Sequence, residues 1–230
     1  MGIKSIALLF KVVKDLGLRS FFKTVRFNLH YFGIKKGCRL PVFVSKNVHF
    51  NNMQGEIVIN SLNTGHVRIG FGDVGIFDKK FERTVLRMSK GAKIIFNGAC
   101  DIGHGARISV QSNAELILGN YFCITAQSNI ICARKISFGD RVLISWDVQI
   151  MDTDFHKIYE KTTRMNFDDD VVVGDDVWIN SRSMILKGCI IPNGCVVGAG
   201  SVCNKKYEKI NCILAGVPAK VIKDNISWSK

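Results

Sequence analysis

Apolar side chains return every six residues along this chain, a spacing that neither an amphipathic helix (3.6) nor a half-buried strand (2) produces. Leu118, Ile124, Ile130 and Ile136 form one run, Phe138, Ile144 and Ile150 a second, and Val173, Ile179, Ile185, Ile191 and Val197 a third. Four residues after the successive members of the third run come Val177, Ser183, Cys189, Cys195 and Ser201, small or medium side chains at a fixed offset. Period six follows when a short strand and a tight corner make one side of a triangular coil of about eighteen residues, each lead aliphatic stacking on its counterpart about 4.8 Å away. Such coils need several copies, because one alone cannot bury its apolar side. Gly follows the lead residue in Leu118-Gly119, Phe138-Gly139, Val173-Gly174 and Val197-Gly198. The expected reason is that a corner needs backbone angles other residues resist.

The ladder is looser before residue 100. Ile102 and Ile108 are in step and Ile69-Gly70 is a fragment of the motif, so residues 60–90 must include loops that leave the coil. The step from Ile150 to Val173 is twenty-three positions, which reads as one full coil plus five and predicts a projecting loop. The first 32 residues read differently again. Ile3, Ile6, Ala7, Phe10 and Val13, then Leu18, Phe21, Val25, Leu29 and Phe32 after a break at Gly17, fall at helical spacing with Lys11, Lys14, Lys23 and Arg26 among them. A basic amphipathic helix of this kind either lies on an anionic membrane surface or caps the open end of the coil stack.

Charge separates the ends from the middle. Of the formal +13, residues 1–40 hold +8 and residues 205–230 hold +4, leaving +1 for the 164 residues between. A general nucleic-acid-binding surface is therefore not expected. The eight cysteines do not read as a disulfide scaffold, which belongs to chains too small to build a core. Cys189 and Cys195 occupy ladder positions and are expected to be reduced core thiols of a cytoplasmic protein. No CxxC pair suggests zinc. Lys11 interrupts the apolar run Ile6–Phe10 too early for a secretory signal, no stretch approaches a membrane span, and Ile6 stands where a myristoylation signal wants Ser or Thr.

The uninterrupted block VVVGDDVWINSRSMILKGCIIPNGCVVGAGSVCNKKYEKINCILAGVPAKVIK, residues 171–223, resembles the hexapeptide-repeat acyltransferases, in particular the branch of maltose, galactoside and polysaccharide O-acetyltransferases. The resemblance extends over roughly residues 100–224. It implies a mainly β chain with a left-handed parallel β-helix, here taken over 41–204, and a C-terminal basic tail over 205–230 that contributes to coenzyme A binding; the spacing and charge read above add an N-terminal basic amphipathic helical segment over 1–40. It also implies a homotrimer with active sites between neighbouring helices, acetyl-CoA as donor and a sugar or polysaccharide hydroxyl as acceptor.

A hydroxyl is a poor nucleophile until a proton acceptor lies within hydrogen-bond reach, and imidazole suits that role near neutral pH. The family's catalytic histidine precedes the loop before the VWIG-like coil, and His156 in MDTDFHKIYE holds that place, with Lys157 where relatives often carry Pro. Asp152 and Asp154 are expected to orient the imidazole or accept from substrate hydroxyls. His104 in DIGHGAR reads as a corner residue. For the cofactor the resemblance transfers to Trp178 and Ser181 in VWINS, where Asn180 replaces a usual Gly, and to Ala199, Gly200 and Ser201 in GAGS. It also transfers to Lys205, and to Lys220 and Lys223, whose charges would meet the adenosine phosphates. No metal is expected.

The rival readings on the same scaffold are N-acylation of an amino sugar, a carbonic anhydrase that would need three converging histidines, and a non-catalytic scaffold. Intact GAGS and GVPAKVIK segments speak against the last. Contacts to the acceptor are expected from residues 60–90 and 157–170.

Overall fold

The structure is a computed structural model that describes residues 13–14, 16–72, 74–78 and 80–229. The expected helical residues Ile3 to Phe10 lie outside the described residues.

The chain winds into a triangular prism, a left-handed parallel β-helix. Its first sheet runs from Val42–Val44 through Val67–Phe71, Cys100–His104, Phe122–Ala126, Leu143–Ile144, Trp178–Ile179 and Val196–Val197 to Ile213–Gly216. The second runs from Val48–Met53 to Val202–Cys203, and the third from Glu56–Ile59 to Ile190–Ile191. Lead residues stack in register across coils: Ile124 on Ile102 and Ile144, Ile130 on Ile108 and Ile150, Ile179 on Ile144 and Val197. All of these are buried, and they fill the bore of the prism. Cys189 and Cys195 are buried in it, and all eight cysteines carry free thiols.

The corner glycines have a different reason from the expected one. At the corner between the third and first sheets, left-handed backbone falls on Tyr121, Arg141 and Asp176, with φ between 55° and 59°. Gly119, Gly139 and Gly174 stand two residues earlier and are required by close approach. Asn120, Asp140, Asp175 and Asn193 form a column along this edge in which each side-chain oxygen accepts an amide of the coil before it. Asn120 takes the Ala99 amide (2.9 Å), Asp140 that of Asn120 (2.7 Å), Asp175 that of Asp140 (2.8 Å) and Asn193 that of Asp175 (2.9 Å). A Cβ on Gly139 would stand 2.2 Å from Asp175 Oδ1 and 2.7 Å from the Asp175 amide. The column leaves no room for it.

Two insertions leave the prism. One covers residues 72–83, between Val67–Phe71 and Thr84–Met88, within the stretch where loops were expected. The other covers residues 152–170 and carries a small hairpin, Tyr159–Glu160 with Thr163–Arg164. Gln149–Met151 and Val171–Val173 are successive sides of one coil. The twenty-three-position gap is therefore one side and a long loop, not a full coil plus five.

The helix Leu18–Gly37, bent at Gly33 (φ 64°), closes the first end of the prism. Its inward face is not the apolar stripe expected from spacing, since Leu18 and Leu29 are exposed. Ser20, Thr24 and Asn28 face the prism instead, together with Phe27. Asn28 accepts from the Val42 amide (3.1 Å) and donates to the Val42 carbonyl (2.6 Å). Thr24 accepts from the Val44 amide (2.8 Å), and Ser20 from the Lys46 amide (3.0 Å). Four helical residues rise about 6 Å and two strand residues about 6.6 Å. A polar i, i+4, i+8 stripe therefore meets alternate residues of an edge strand and satisfies backbone groups that would otherwise be left open. At the far end Ala219–Lys223 turns back antiparallel on Ile213–Gly216. Among the described residues no helix is long and apolar enough to cross a membrane.

Gly139→Ala is expected to destabilise the protein by about 1–3 kcal/mol in chemical denaturation, the cost of overpacking against backbone that cannot yield. Gly75→Ala, where an added Cβ meets nothing within 4 Å, serves as the control and should be near neutral.

Candidate active site

His156 sits in the 152–170 insertion, on the edge between the second and third sheets, and is exposed. The loop is tied at Asn166, which is buried. Its amide nitrogen donates to Asp154 Oδ2 (2.8 Å) and to the His156 carbonyl (2.8 Å), and its oxygen accepts from the Ile158 amide (2.6 Å). Lys187, from the same edge one coil further on, completes the anchorage: its ammonium meets Asp154 Oδ2 at 2.5 Å and donates to the Phe167 carbonyl at 3.1 Å. The backbone on either side of the imidazole is thus held by Asp154, Asn166 and Lys187. The Lys187 and Asn166 hydrogen bonds hold the Asp154 carboxyl below its usual range.

Asp152 is placed differently. It is wholly buried, and its two oxygens accept the amides of Ala133 (2.7 Å) and Arg134 (2.9 Å) in the preceding coil. Burial raises its carboxyl against the lowering effect of those bonds. These contacts make it an anchor for the root of the loop, and the structure does not bring it to the imidazole or to an exposed hydroxyl-binding surface.

The cofactor-matched residues lie elsewhere on the prism. Trp178 is on the first sheet, its indole N–H donating to Ser145 Oγ (3.0 Å). Ser181, Ala199 and Gly200 turn the corner between the first and second sheets. The Gly200 amide donates to the Ser181 carbonyl (3.0 Å), which brings VWINS and GAGS together across adjacent coils. Ala199 and Gly200 are exposed, whereas Ser201 is buried and its hydroxyl accepts from the Gly216 amide (3.1 Å). Lys220 and Lys223 are exposed on the returning strand of the first sheet, paired with Ala215 and Ile213. Lys205 stands on the other edge, the one that carries His156, with its ammonium 5.5 Å from the Tyr207 ring centre. His156 and the VWINS–GAGS corner thus occupy two different edges of one chain.

Three contributors were missed in the sequence. Lys187 and Asn166 lie outside the ladder's lead positions, so periodicity gives them no weight. Trp228 lies in a tail with no repeat; its ring packs on Trp178 at 5.9 Å and its indole N–H donates to the Asp176 carbonyl (2.7 Å). His104, expected at a corner, ends the strand Cys100–His104 and is buried. Among the described residues no group of three metal-ligating side chains comes together.

Residues 170–205 match the family described as bacterial transferase hexapeptide (six repeats). The chain is 29% identical over 183 residues to an uncharacterized 24.8 kDa protein in the cps region of Klebsiella pneumoniae, an alignment that covers 80% of this chain and 75% of that protein. It is 38% identical over 124 residues to the polysialic acid O-acetyltransferase of Neisseria meningitidis, 53% of this chain and 55% of the relative. The chain thus spans about half the length of that curated relative. The crystal structure of the polysialic-acid-specific acetyltransferase NeuO superimposes with a TM-score of 0.63 over 81% of this chain and 74% of its own, at 21% identity, a likeness of fold. A prism of stacked six-residue sides, with one long loop thrown out before its last coils, is the architecture these likenesses share. The repeat over residues 170–205 is the one described for bacterial hexapeptide transferases, and the relatives this chain resembles include named acetyltransferases.

Asp154 contributes stability above its unfolded value near 3.9 that is lost as pH falls through its lower folded value, and partial exposure of the pair keeps the effect small. In Lys187→Met the Asp154 carboxyl should titrate at higher pH than in wild type, read by carbon-detected NMR. An unmoved titration would remove Lys187 from the anchorage.

Proposed function

We propose that this protein transfers an acetyl group from acetyl-CoA to a sugar hydroxyl of a cell-envelope polysaccharide or its precursor, with His156 as general base. The observation that carries this reading is the pairing of an exposed histidine, its loop tied by Asp154, Asn166 and Lys187, with a corner of small exposed residues on another edge. The imidazole takes the hydroxyl proton as the oxygen attacks the thioester carbonyl carbon. The tetrahedral oxyanion collapses, the carbon–sulfur bond breaks, and the imidazolium returns the proton to the leaving thiolate. No covalent enzyme intermediate is needed.

In this reading Trp178, Ser181, Ala199 and Gly200 form the wall against which the pantetheine arm lies, and Lys220 and Lys223 meet the phosphates. Asp154 holds the histidine loop. Asp152 and Ser201 act as supports, because their polar atoms are already engaged within the prism.

The two edges call for a second copy. His156 of one chain and the VWINS–GAGS corner of another complete a site that neither has alone, and a closed ring of three such contacts is the homotrimer we assign. Phe155, Ile158, Tyr159, Met165 and Phe167 support it: all are exposed by more than half in the isolated chain, a concentration of apolar surface on one loop that an interface would cover. Lys205, on the histidine edge, then reaches a cofactor held by the neighbour. We place the protein in the cytoplasm, in keeping with its free thiols. The outward helix face, with Leu18, Phe22 and Leu29 exposed among basic residues, suits contact with the inner membrane surface.

Free-thiol release from acetyl-CoA with a panel of saccharide acceptors tests the reaction. His156→Ala should lower turnover roughly 10²–10⁴-fold while leaving CoA binding intact. Equal release by wild type and variant with every acceptor would sink the assignment.

A further inference from the structure

A second concave feature is lined by none of the residues of the candidate site. A cleft of about 890 Å³ opens between the N-terminal helix, the corner after Val42–Val44 and the 72–83 insertion, lined by Arg19, Lys23, Lys46 and Lys80. A continuation adds His49, Phe81, Glu82 and Arg83. Among the described residues five cations therefore converge from three separate segments against one lining carboxylate, Glu82, in a chain whose central body is close to neutral. Among the described residues no carboxylate makes an ion pair with any of the five. Lys23 is held in place by its donation to the Lys46 and Val48 carbonyls (2.8 and 2.5 Å). Burial and the nearby Arg83 guanidinium push its ammonium below the usual lysine range. Like charges gathered in a concavity in excess of their counter-charges repel one another, and a bound anion offsets that repulsion.

Position in the repeat says which anion. Ser45, Asn47, Gly70, Gly72 and His104, which form the floor, lie at the corner between the first and second sheets. That is the edge which, further along the prism, carries Ser181, Ala199 and Gly200. Four strand steps separate Val67–Phe71 from Trp178–Ile179 along the first sheet, about 19 Å at the usual strand spacing. The cleft and the cofactor corner are therefore two stations on one straight edge. The floor offers hydroxyl, amide and open backbone groups, and the half-buried Phe71 ring supplies an apolar face, a mixture suited to sugar rings. A flat membrane surface could not reach into such a concavity.

We propose that the cleft is a second binding station for the acceptor, which is an extended anionic, carboxylate-bearing polysaccharide gripped several sugars away from the hydroxyl being acetylated. This rests on the acetyl-transfer reading given above and narrows its substrate class. Arg19, Lys46 and Lys80 are exposed and take carboxylates of successive residues, while Lys23 fixes the floor. Such a grip favours polymer over monosaccharide through added contacts on one ligand, and weakens with salt.

Fluorescence anisotropy with labelled polysialic acid and polygalacturonate, against dextran of matched length and without acetyl-CoA, tests the station independently of turnover. Both acidic polymers should bind the full-length protein, dextran should not, and binding should weaken as salt rises. The double variant Lys46→Gln/Lys80→Gln should bind the acidic polymers roughly fivefold to tenfold more weakly, while His156→Ala binds as wild type. Equal binding of dextran, or unchanged binding by the double variant, would overturn the proposal. So would displacement of polymer by inorganic phosphate at matched charge, or a double variant that loses only binding to phosphatidylglycerol vesicles. If the polymers bind as expected but no acceptor supports thiol release, the acetyl-transfer reading fails and the station stands.

Discussion

Every coil of this protein depends on the coil stacked against it. Sides of two to six residues are too short to hold their own conformation, and what fixes them is parallel pairing to the neighbouring coils. The Asn120–Asp140–Asp175–Asn193 column adds a side-chain tie at one edge, and it excludes any Cβ at the preceding glycines. A stack built this way has two open ends. The helix closes one with polar side chains spaced to match alternate residues of a strand, and the returning strand Ala219–Lys223 covers the first sheet at the other.

This dependence explains how much could be read in advance. From Val173 to Val197 each inward position is decided by one packing requirement, so period six exposes the fold and places every side. It says little about residues whose partners are remote in sequence. Asn28 meets Val42 and Lys187 meets Asp154, neither at a ladder spacing, and Asp152 meets Ala133 and Arg134 one coil back through a polar side chain to which an apolar period gives no weight. The helix takes the capping alternative, but spacing points only to its apolar residues, of which Phe32 packs on the core, whereas the strand edge needs hydrogen-bond partners, and Ser20, Thr24 and Asn28 supply them. The glycines were placed correctly and explained wrongly, since the constraint on them is an oxygen from the next coil.

The candidate site shows the limit most clearly. Resemblance gave a histidine and a group of cofactor contacts, and a single chain sets them on different edges of the prism. Nothing in one sequence says which edge of a neighbouring copy will approach. In the reading proposed above, the exposed apolar residues around His156 and the small exposed residues at the VWINS–GAGS corner are the two halves of a shared site, and the basic cleft lies further along the second half's edge. On this account the prism serves as a straight support on which donor and acceptor stations are spaced by whole coils.

The central claim is that one active site is shared by two copies of the chain. Two inactive forms test it most directly: His156→Ala, which lacks the base, and Ala199→Trp, which blocks the cofactor corner. Co-expressed and purified as mixed oligomers, they should recover thiol release from acetyl-CoA, because some interfaces then join an intact histidine to an intact corner. If the mixed oligomers are no more active than either parent, the site is not divided between subunits and the account is wrong.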